Sequence, residues 1–127
     1  MDLQKLLEAV EVLKQLVDNK QDKEEVDVVK YKPGEKYIIR TYSSGVFYGE
    51  IEWRKGQEGV IKNFRRIWYW DGAFTLSKLA MDGTSKPESC KFSCYADRLE
   101  LPNIIEVLHT TEKARKSIEG VKEWIGQ

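Results

Sequence analysis

The first apolar residues of the chain recur with the period of an α-helix. Five of them are separated by steps of three and four residues, which is the spacing of the a and d positions of a heptad. These five residues are Leu3, Leu6, Val10, Leu13 and Val17. Leu7, Ala9 and Leu16 widen the apolar face beyond the seam of a two-stranded coil. We therefore predict an amphipathic helix over residues 1–20 that packs either on its own domain or on a second copy of the chain, and we expect a homo-oligomer.

From residue 36 the apolar period changes to two, which is typical of β-strands. The polar stretch before it, residues 21–35, reads as a linker. Glycine-containing turns at Ser43-Ser44-Gly45 and Lys55-Gly56-Gln57 separate three alternating segments. The predicted strands of this antiparallel meander cover residues 36–42, 46–53 and 59–70.

The remainder of the chain predicts further short elements. They are a helix over residues 73–81, a loop over 84–89, strands over 98–101 and 104–109, and a closing helix over 111–125. Residues 36–127 are then a single α+β domain. Its architecture is a small antiparallel twisted sheet, or a partly closed barrel, with helices at its ends.

The charges cancel over the whole chain but not along it. The 21 basic and 21 acidic residues leave no overall field to draw the protein toward nucleic acid or an anionic membrane. Residues 53–70 hold five basic residues against one acid, Glu58, whereas residues 18–27 hold five acids against two lysines. Any attraction to an anion must therefore be local, and it is centred on residues 53–70.

Neither a signal peptide nor an apolar run of membrane-spanning length is visible in the sequence. We therefore expect a soluble protein of the cytoplasm without a membrane partner. Cys90 and Cys94 are too far apart on an extended chain for a disulfide, and two thiols cannot complete a structural zinc site. Both are expected to be free thiols in a reducing compartment.

Residues with the chemistry of an enzyme are few. His109 is the one histidine, and no glycine-framed nucleophile precedes any serine. Glu50 and Glu52 lie two apart on a predicted strand, a spacing that can pair carboxylates for acid–base chemistry or hold a magnesium ion, but it is more typical of a solvated face. We predict no catalytic residue, no metal and no cofactor.

The segment from Phe64 to Trp70 combines two arginines with four aromatic rings and ends at Asp71-Gly72-Ala73. Tryptophans can stack a nucleobase, and guanidinium groups match the geometry of a phosphate. The competing interpretation is that the rings fill the core. Because adjacent arginines on a strand point to opposite faces, one of them must point inward or into an interface. The predicted ligand-binding residues are Arg40, Lys62, Arg65, Arg66, Trp68 and Trp70.

Three strings of sequence resemble one protein family. They are YIIRTYSSGVFYG at residues 37–49, RRIWYWDGA at 65–73 and LSKLA at 76–80. The family consists of small proteins encoded by bacteriophages and prophages and is known as a domain of unknown function. The resemblance covers about residues 37–118 and supplies no activity and no binding residues. It implies a phage-encoded accessory protein in the cytoplasm of a bacterial host.

Two classes of function remain. The first is a non-enzymatic oligomer that sequesters a small anionic ligand, such as a nucleotide signal of bacterial immunity, or that blocks a host defence protein. The second is a nucleic-acid-binding module that uses the basic aromatic segment 53–70, and a virion or assembly role is a more distant alternative. Zero net charge argues against the second class, because binding to a phosphate backbone usually needs an extended basic face.

Overall fold

The computed structural model describes residues 3–10 and 27–126. Within these ranges six strands form one antiparallel sheet, accompanied by three helices and a short 3-10 turn at Pro87–Ser89. The strands are β1 (Val29–Lys30), β2 (Tyr37–Thr41), β3 (Val46–Lys55), β4 (Glu58–Tyr69), β5 (Lys91–Leu101) and β6 (Ile104–His109). The helices are α1 (residues 3–10), α2 (Leu76–Asp82) and α3 (Glu112–Glu119). The predicted α+β class is confirmed.

The sheet is rolled but not closed into a barrel. Its strand order is β5-β4-β3-β2-β6, and β1 pairs with the C-terminal end of β3. β5 and β6 lie at opposite edges although only Pro102 and Asn103 separate them in the sequence. This connection joins the two edges at one end of the sheet, where the Ile104 backbone N–H also donates to the carbonyl of Gln57, in the turn between β3 and β4, at 2.8 Å.

Two hydrophobic clusters lie on opposite faces of the sheet. Neighbours such as Ile38 and Ile39 belong to different clusters, as the alternation of a strand requires. The first cluster receives Leu79 from α2 and Ile118 from α3, so these helices cover its face. The second lies inside the roll and is closed by residues from the ends of β5 and β6. Each face of the sheet therefore contributes to a core.

Threonine side chains begin both helices that pack on the sheet. Thr75 Oγ1 accepts from the Lys78 backbone N–H at 3.1 Å, and Thr111 Oγ1 accepts from the Ala114 N–H at 3.1 Å. These bonds satisfy donors that the first helical turn leaves unpaired. No helix in the described residues is long and apolar enough to cross a membrane.

A bulge distorts the centre of the β3–β4 pair. Tyr48 faces Arg65 and Glu50 faces Lys62, so Gly49 alone faces both Asn63 and Phe64. A Cβ atom on Gly49 would come within 2.6 Å of Phe64 Cβ, which explains why glycine occupies this position. Asn63 takes up the extra length with a positive φ of 45°, a conformation that asparagine tolerates better than most residues.

Four elements differ from the sequence-based predictions. β5 begins at Lys91 rather than at residue 98, and α2 begins at Leu76 rather than at residue 73. α3 ends at Glu119 rather than at residue 125, because the chain after Gly120 turns back and Glu123 forms a bridge to Phe92 on β5. β1 lies inside the segment interpreted as a linker, where it pairs with Arg54 and Trp53.

The predicted N-terminal helix is confirmed where the structure describes it. Residues 3–10 are helical, and all of them are exposed. Leu13 and Val17, the last two residues of the predicted seam, lie outside the described residues. The apolar face is therefore uncovered at Leu3, Leu6 and Val10.

Candidate functional site

A hollow of about 350 Å³ lies where the turn between β2 and β3 meets the end of β4. Its size is in the range of small-molecule sites. Three of the six predicted ligand-binding residues line it, namely Arg66, Trp68 and Trp70. The other lining residues are Ser43, Ser44, Gly45, Val46 and Ile67. The structure thus brings together one guanidinium group, two indole rings and two hydroxyl groups.

Arg66 is an exposed cation held in place by a ring. Its guanidinium carbon lies 4.8 Å from the centroid of the buried Phe47 ring, and its backbone N–H donates to Ser93 Oγ at 2.7 Å. Among the described residues its guanidinium makes no hydrogen bond and no ion pair, unlike that of Arg40 or Arg98. The position of Arg66 is therefore fixed while its donors stay available for an anion.

The two tryptophans of the hollow differ in burial. Trp68 is 69 % exposed and meets the Trp124 ring edge to face, with 5.2 Å between the ring centroids. Trp70 lies just beyond the end of β4 and is half-buried against the first hydrophobic cluster. Trp68 therefore offers an open face for stacking, whereas Trp70 also serves the core.

A network of hydrogen bonds holds the serine turn on the other wall. Thr41 Oγ1 donates to the Gly45 carbonyl at 2.7 Å and accepts from the Ser44 N–H at 2.9 Å. Asn103 Nδ2 donates to Ser43 Oγ at 2.6 Å, which ties the turn to the connection between β5 and β6. Gly45 has a φ of +105°, which favours glycine. Hydrogen bonds within the chain therefore define the shape of this wall of the hollow.

Arg65 lies in the interior, away from the hollow. It is 2 % exposed, and its Nη1 donates to the carbonyls of Ile118 at 3.0 Å and Val121 at 2.9 Å. Its Nε donates to the Ser93 carbonyl at 3.1 Å. Ile118 belongs to the last turn of α3, so the cation also faces the negative end of that helix. Backbone carbonyls thus satisfy this buried guanidinium group in place of a carboxylate or phosphate.

The last two predicted residues also lie outside the hollow. Arg40 forms a surface ion pair with Glu106 on the neighbouring β6, with 3.2 Å between Nη2 and Oε1. Lys62 lies at the central bulge, between Glu50 on β3 and Arg98 on β5. We therefore restrict the candidate site to Arg66, Trp68 and Trp70 with the turn at residues 43–45.

A polar cluster lies next to Arg65 beneath β5. The buried Tyr48 hydroxyl donates to Glu119 Oε2 at 3.1 Å, and Lys36 Nζ pairs with Glu119 Oε1 at 3.1 Å. Burial, assisted by the Glu119 carboxylate, raises the pKa of Tyr48. The hydroxyl is thus held in its neutral form as a donor, and the cluster fastens the end of α3 to the sheet.

Glu50 and Glu52 each have a partner of their own. Glu50 accepts from Asn63 Nδ2 at 2.6 Å and from the Gly34 N–H at 2.9 Å, and these bonds, led by that from Asn63, lower the pKa of Glu50. Glu52 pairs with Arg98 at 3.2 Å. In the part of the chain that the structure describes, no group of three or more acidic, cysteine or histidine residues is placed to hold a metal ion. Cys90 is a buried free thiol and Cys94 an exposed one.

Sequence reasoning missed part of this surface. The turn at residues 43–45 was recognised as a turn but not as a wall of the site. Trp124 and Lys91 come from segments that are distant from β4 in the sequence. The tail after α3 brings the Trp124 ring against Trp68, and the pairing of β4 with β5 brings the Lys91 ammonium group near the Tyr69 and Trp124 rings. No local pattern in the sequence indicates these contacts.

Comparison with known proteins gives a family but no function. Residues 34–118 match the model of a family described as a domain of unknown function, DUF6948. This match confirms the expected relation to a domain of unknown function over nearly the same residues. No curated protein and no solved structure matches the chain.

Proposed function

We propose, for a chain that belongs to the DUF6948 family of domains of unknown function, that it is a non-enzymatic binding protein. Its ligand is a small anion of the nucleotide type, held in the hollow formed by Arg66, Trp68, Trp70 and the turn at residues 43–45. The observation that carries this proposal is the Arg66 guanidinium, which is fixed over a ring and has no anionic partner among the described residues.

The open face of Trp68 supplies the second part of the argument. Stacking of a base on an aromatic side chain contributes about 1–3 kcal/mol, and a hydrogen bond to a charged group about 1.5–3 kcal/mol. One base on Trp68 and one phosphate on Arg66 together contribute about 2.5–6 kcal/mol, which corresponds to dissociation constants from about 10 mM down to about 40 μM. The hydroxyls of Ser43 and Ser44 add polar contacts to a sugar or phosphate.

Titration calorimetry with 5′-phosphorylated mononucleotides tests the proposal. Replacing Arg66 or Trp68 by alanine is expected to lower the affinity at least about tenfold, which is the loss of one charge-assisted hydrogen bond or one stacked ring. The matched control is Arg40→Ala, which removes a cation already paired with Glu106 and outside the hollow. Equal losses in Arg40→Ala and Arg66→Ala, or no binding by the wild type, would refute the proposal.

The fate of the ligand tests the non-enzymatic part. The proposed site holds no nucleophile with an adjacent base, so a bound nucleotide is expected to be released intact after heat denaturation. Chromatography of the released ligand checks this. Conversion of the nucleotide in the presence of the protein, absent in Arg66→Ala, would contradict the proposal.

Binding of single-stranded nucleic acid is the second candidate function. It is favoured by the exposed rings of Trp68 and Tyr69, because successive bases can stack on such a surface. In that case the affinity falls steeply with salt, and Arg66→Ala makes the slope shallower by about one counterion. A small-ligand site gives a weak salt dependence, so the salt series separates the two functions.

The proposal includes self-association through α1. Leu3 is 75 % exposed, and Leu6 and Val10 are exposed on the same face. The described part of the chain leaves this heptad face uncovered, and such a face is suited to packing against the same helix of a second copy of the chain. This assembly would hold several hollows in one particle.

The proposed setting is a bacteriophage infection, on the basis of the sequence resemblance. There the protein would sequester a nucleotide immune signal, or block a host defence protein, in the bacterial cytoplasm. Phage plating on a defended host expressing either the wild type or Arg66→Ala tests this setting. Equal protection by the wild type and by Arg66→Ala would show that protection does not depend on ligand binding in the hollow.

A further inference from the structure

Lys91 lies beside the hollow, beyond the Trp68 ring. It begins β5 and faces Tyr69 across the ladder with β4. Its Nζ is 5.9 Å from the centroid of the Tyr69 ring and 5.1 Å from that of the Trp124 ring. Within residues 3–10 and 27–126, this ammonium group makes no ion pair and no hydrogen bond to another side chain. It is a second cation that is positioned by rings and has no anionic partner, like Arg66 on the other side of Trp68.

Trp124 connects the two cations. The tail after α3 brings it there, since the Trp124 backbone N–H donates to the Phe92 carbonyl at 2.9 Å. Its ring meets the Trp68 ring at 90°, with 5.2 Å between their centroids. The rings therefore form a continuous surface that runs from Arg66 in the hollow, across Trp68 and Trp124, to Lys91.

Acidic residues border this surface beyond Trp124. The neighbouring hollow, of about 400 Å³, is lined by Trp124 together with Glu88, Glu123 and Lys122. Its two carboxylates outnumber its one ammonium group and would repel a further phosphate. The surface formed by two cations and the rings of Trp68 and Trp124 therefore has a limited length, unlike the extended basic groove of a nucleic-acid-binding protein.

We propose that Lys91, Tyr69 and Trp124 form a second subsite, and that the ligand of this protein is a dinucleotide. One phosphate binds Arg66 with its base on Trp68, and the second phosphate binds Lys91 with its base on the Trp124 side. This inference rests on the proposed function, because it assigns a second half to the same site. It makes Lys91 a residue that determines the length of the ligand.

A length series tests the inference on the full chain. The probes are 5′-phosphorylated deoxyadenylates of one, two, three and six nucleotides, titrated at fixed salt. The affinity is expected to rise about tenfold or more from one to two nucleotides and then to level off. No gain from one to two nucleotides would overturn the second subsite and leave the proposed function standing. A continued rise to six nucleotides would overturn the dinucleotide assignment, and no binding of any probe would refute the proposed function as well.

Two lysine variants locate the second subsite. Lys91→Ala is expected to lower dinucleotide affinity about tenfold and to lower mononucleotide affinity less than it lowers dinucleotide affinity, whereas Arg66→Ala lowers both to a similar extent. Lys122→Ala is the matched control, since Lys122 lies on the far side of Trp124 in the acidic hollow. Thermal melts of all three variants show whether the fold is retained. If Lys91→Ala and Lys122→Ala bind the dinucleotide equally well, Lys91 has no role in binding and the inference fails.

Discussion

Arg65 and Arg66 are neighbours on β4, but the guanidinium of Arg65 is buried among three backbone carbonyls, whereas that of Arg66 lies exposed over the ring of Phe47. The alternation of a strand produces this division, because consecutive side chains point to opposite faces. One arginine therefore fastens α3 to the sheet, and the other is available to a ligand. Substitutions at these two positions should have separable effects.

The first prediction concerns stability. Arg65→Ala is expected to lower the free energy of unfolding by about 3 kcal/mol or more, because three carbonyls lose their donors and the interior loses a large side chain. Arg66→Ala is expected to lower it by less than about 1 kcal/mol, which is the size of one exposed cation–π contact. Urea denaturation of both variants measures the difference. Equal destabilisation by the two substitutions would show that Arg66 has a structural role as well.

The second prediction concerns the bulge at the centre of the sheet. Gly49→Ala is expected to destabilise the protein by about 2 kcal/mol, because the new Cβ would lie 2.8 Å from Phe64 Cα, where the backbone must move. Gly120→Ala is the control, since Gly120 has helical dihedrals and its nearest neighbour, the Lys116 carbonyl oxygen, is 3.2 Å from the added atom. It should change stability by less than about 0.5 kcal/mol. Thermal melts that rank the two variants in the opposite order would contradict this account of the bulge.

The third prediction concerns alkaline pH. Burial, together with the hydrogen bond to Glu35, raises the pKa of Tyr37 from 10.0 to about 12. A raised pKa means that the folded state holds the proton more tightly, so this stabilisation is complete below pH 10 and is lost as the pH rises toward about 12.

Urea midpoints measured across this pH range test the third prediction. Tyr37→Phe should make the decline in stability less steep, while Tyr48 continues to contribute a loss of the same sign. The matched control is Tyr42→Phe, because the Tyr42 side chain is 83 % exposed. A decline that is the same in all three proteins would show that Tyr37 is not its source.

The fourth prediction concerns assembly. Deleting residues 1–20 is expected to lower the order of association, because it removes the apolar face that carries Leu3, Leu6 and Val10. Light scattering at micromolar concentration compares the two chains. A circular dichroism spectrum confirms that the sheet is retained in the shorter chain. A full-length protein that is monomeric under these conditions would disprove the prediction.

Apolar periodicity was sufficient to predict the strands whose residues enter the two clusters. β2, β3, β4 and β6 each place apolar residues in these clusters, with neighbours such as Ile38 and Ile39 on opposite faces, and their predicted bounds differ from the observed ones by at most two residues. β5 was predicted only over its last four residues. Residues 94–98 of this strand are all exposed, so they carry no apolar period. What holds them is pairing with β4, a contact between distant segments that a local pattern does not indicate.

The sequence predicts which types of residue form the candidate site but not how the fold arranges them. The sequence indicates that Arg65 and Arg66 face opposite ways, but it does not tell which face is buried. That depends on the end of α3 and the residues just after it, because the carbonyls of Ile118 and Val121 accept from Arg65. Trp124 belongs to a stretch predicted as helix, and its contact with Trp68 exists only because the chain turns back after Gly120.

The two-residue connection at Pro102 and Asn103 has a consequence for the order of folding. It joins strands at opposite edges of the sheet, so β6 reaches its place beside β2 only when the strands between them are in position. A chain emerging from the ribosome exposes the open side of β2 until the residues around His109 have been synthesised. Sheet formation that depends on such distant segments is slow compared with local helix formation. A chain cut short before β6 would lack the partner of Ile38 and Ile39 and would be prone to aggregate through that edge.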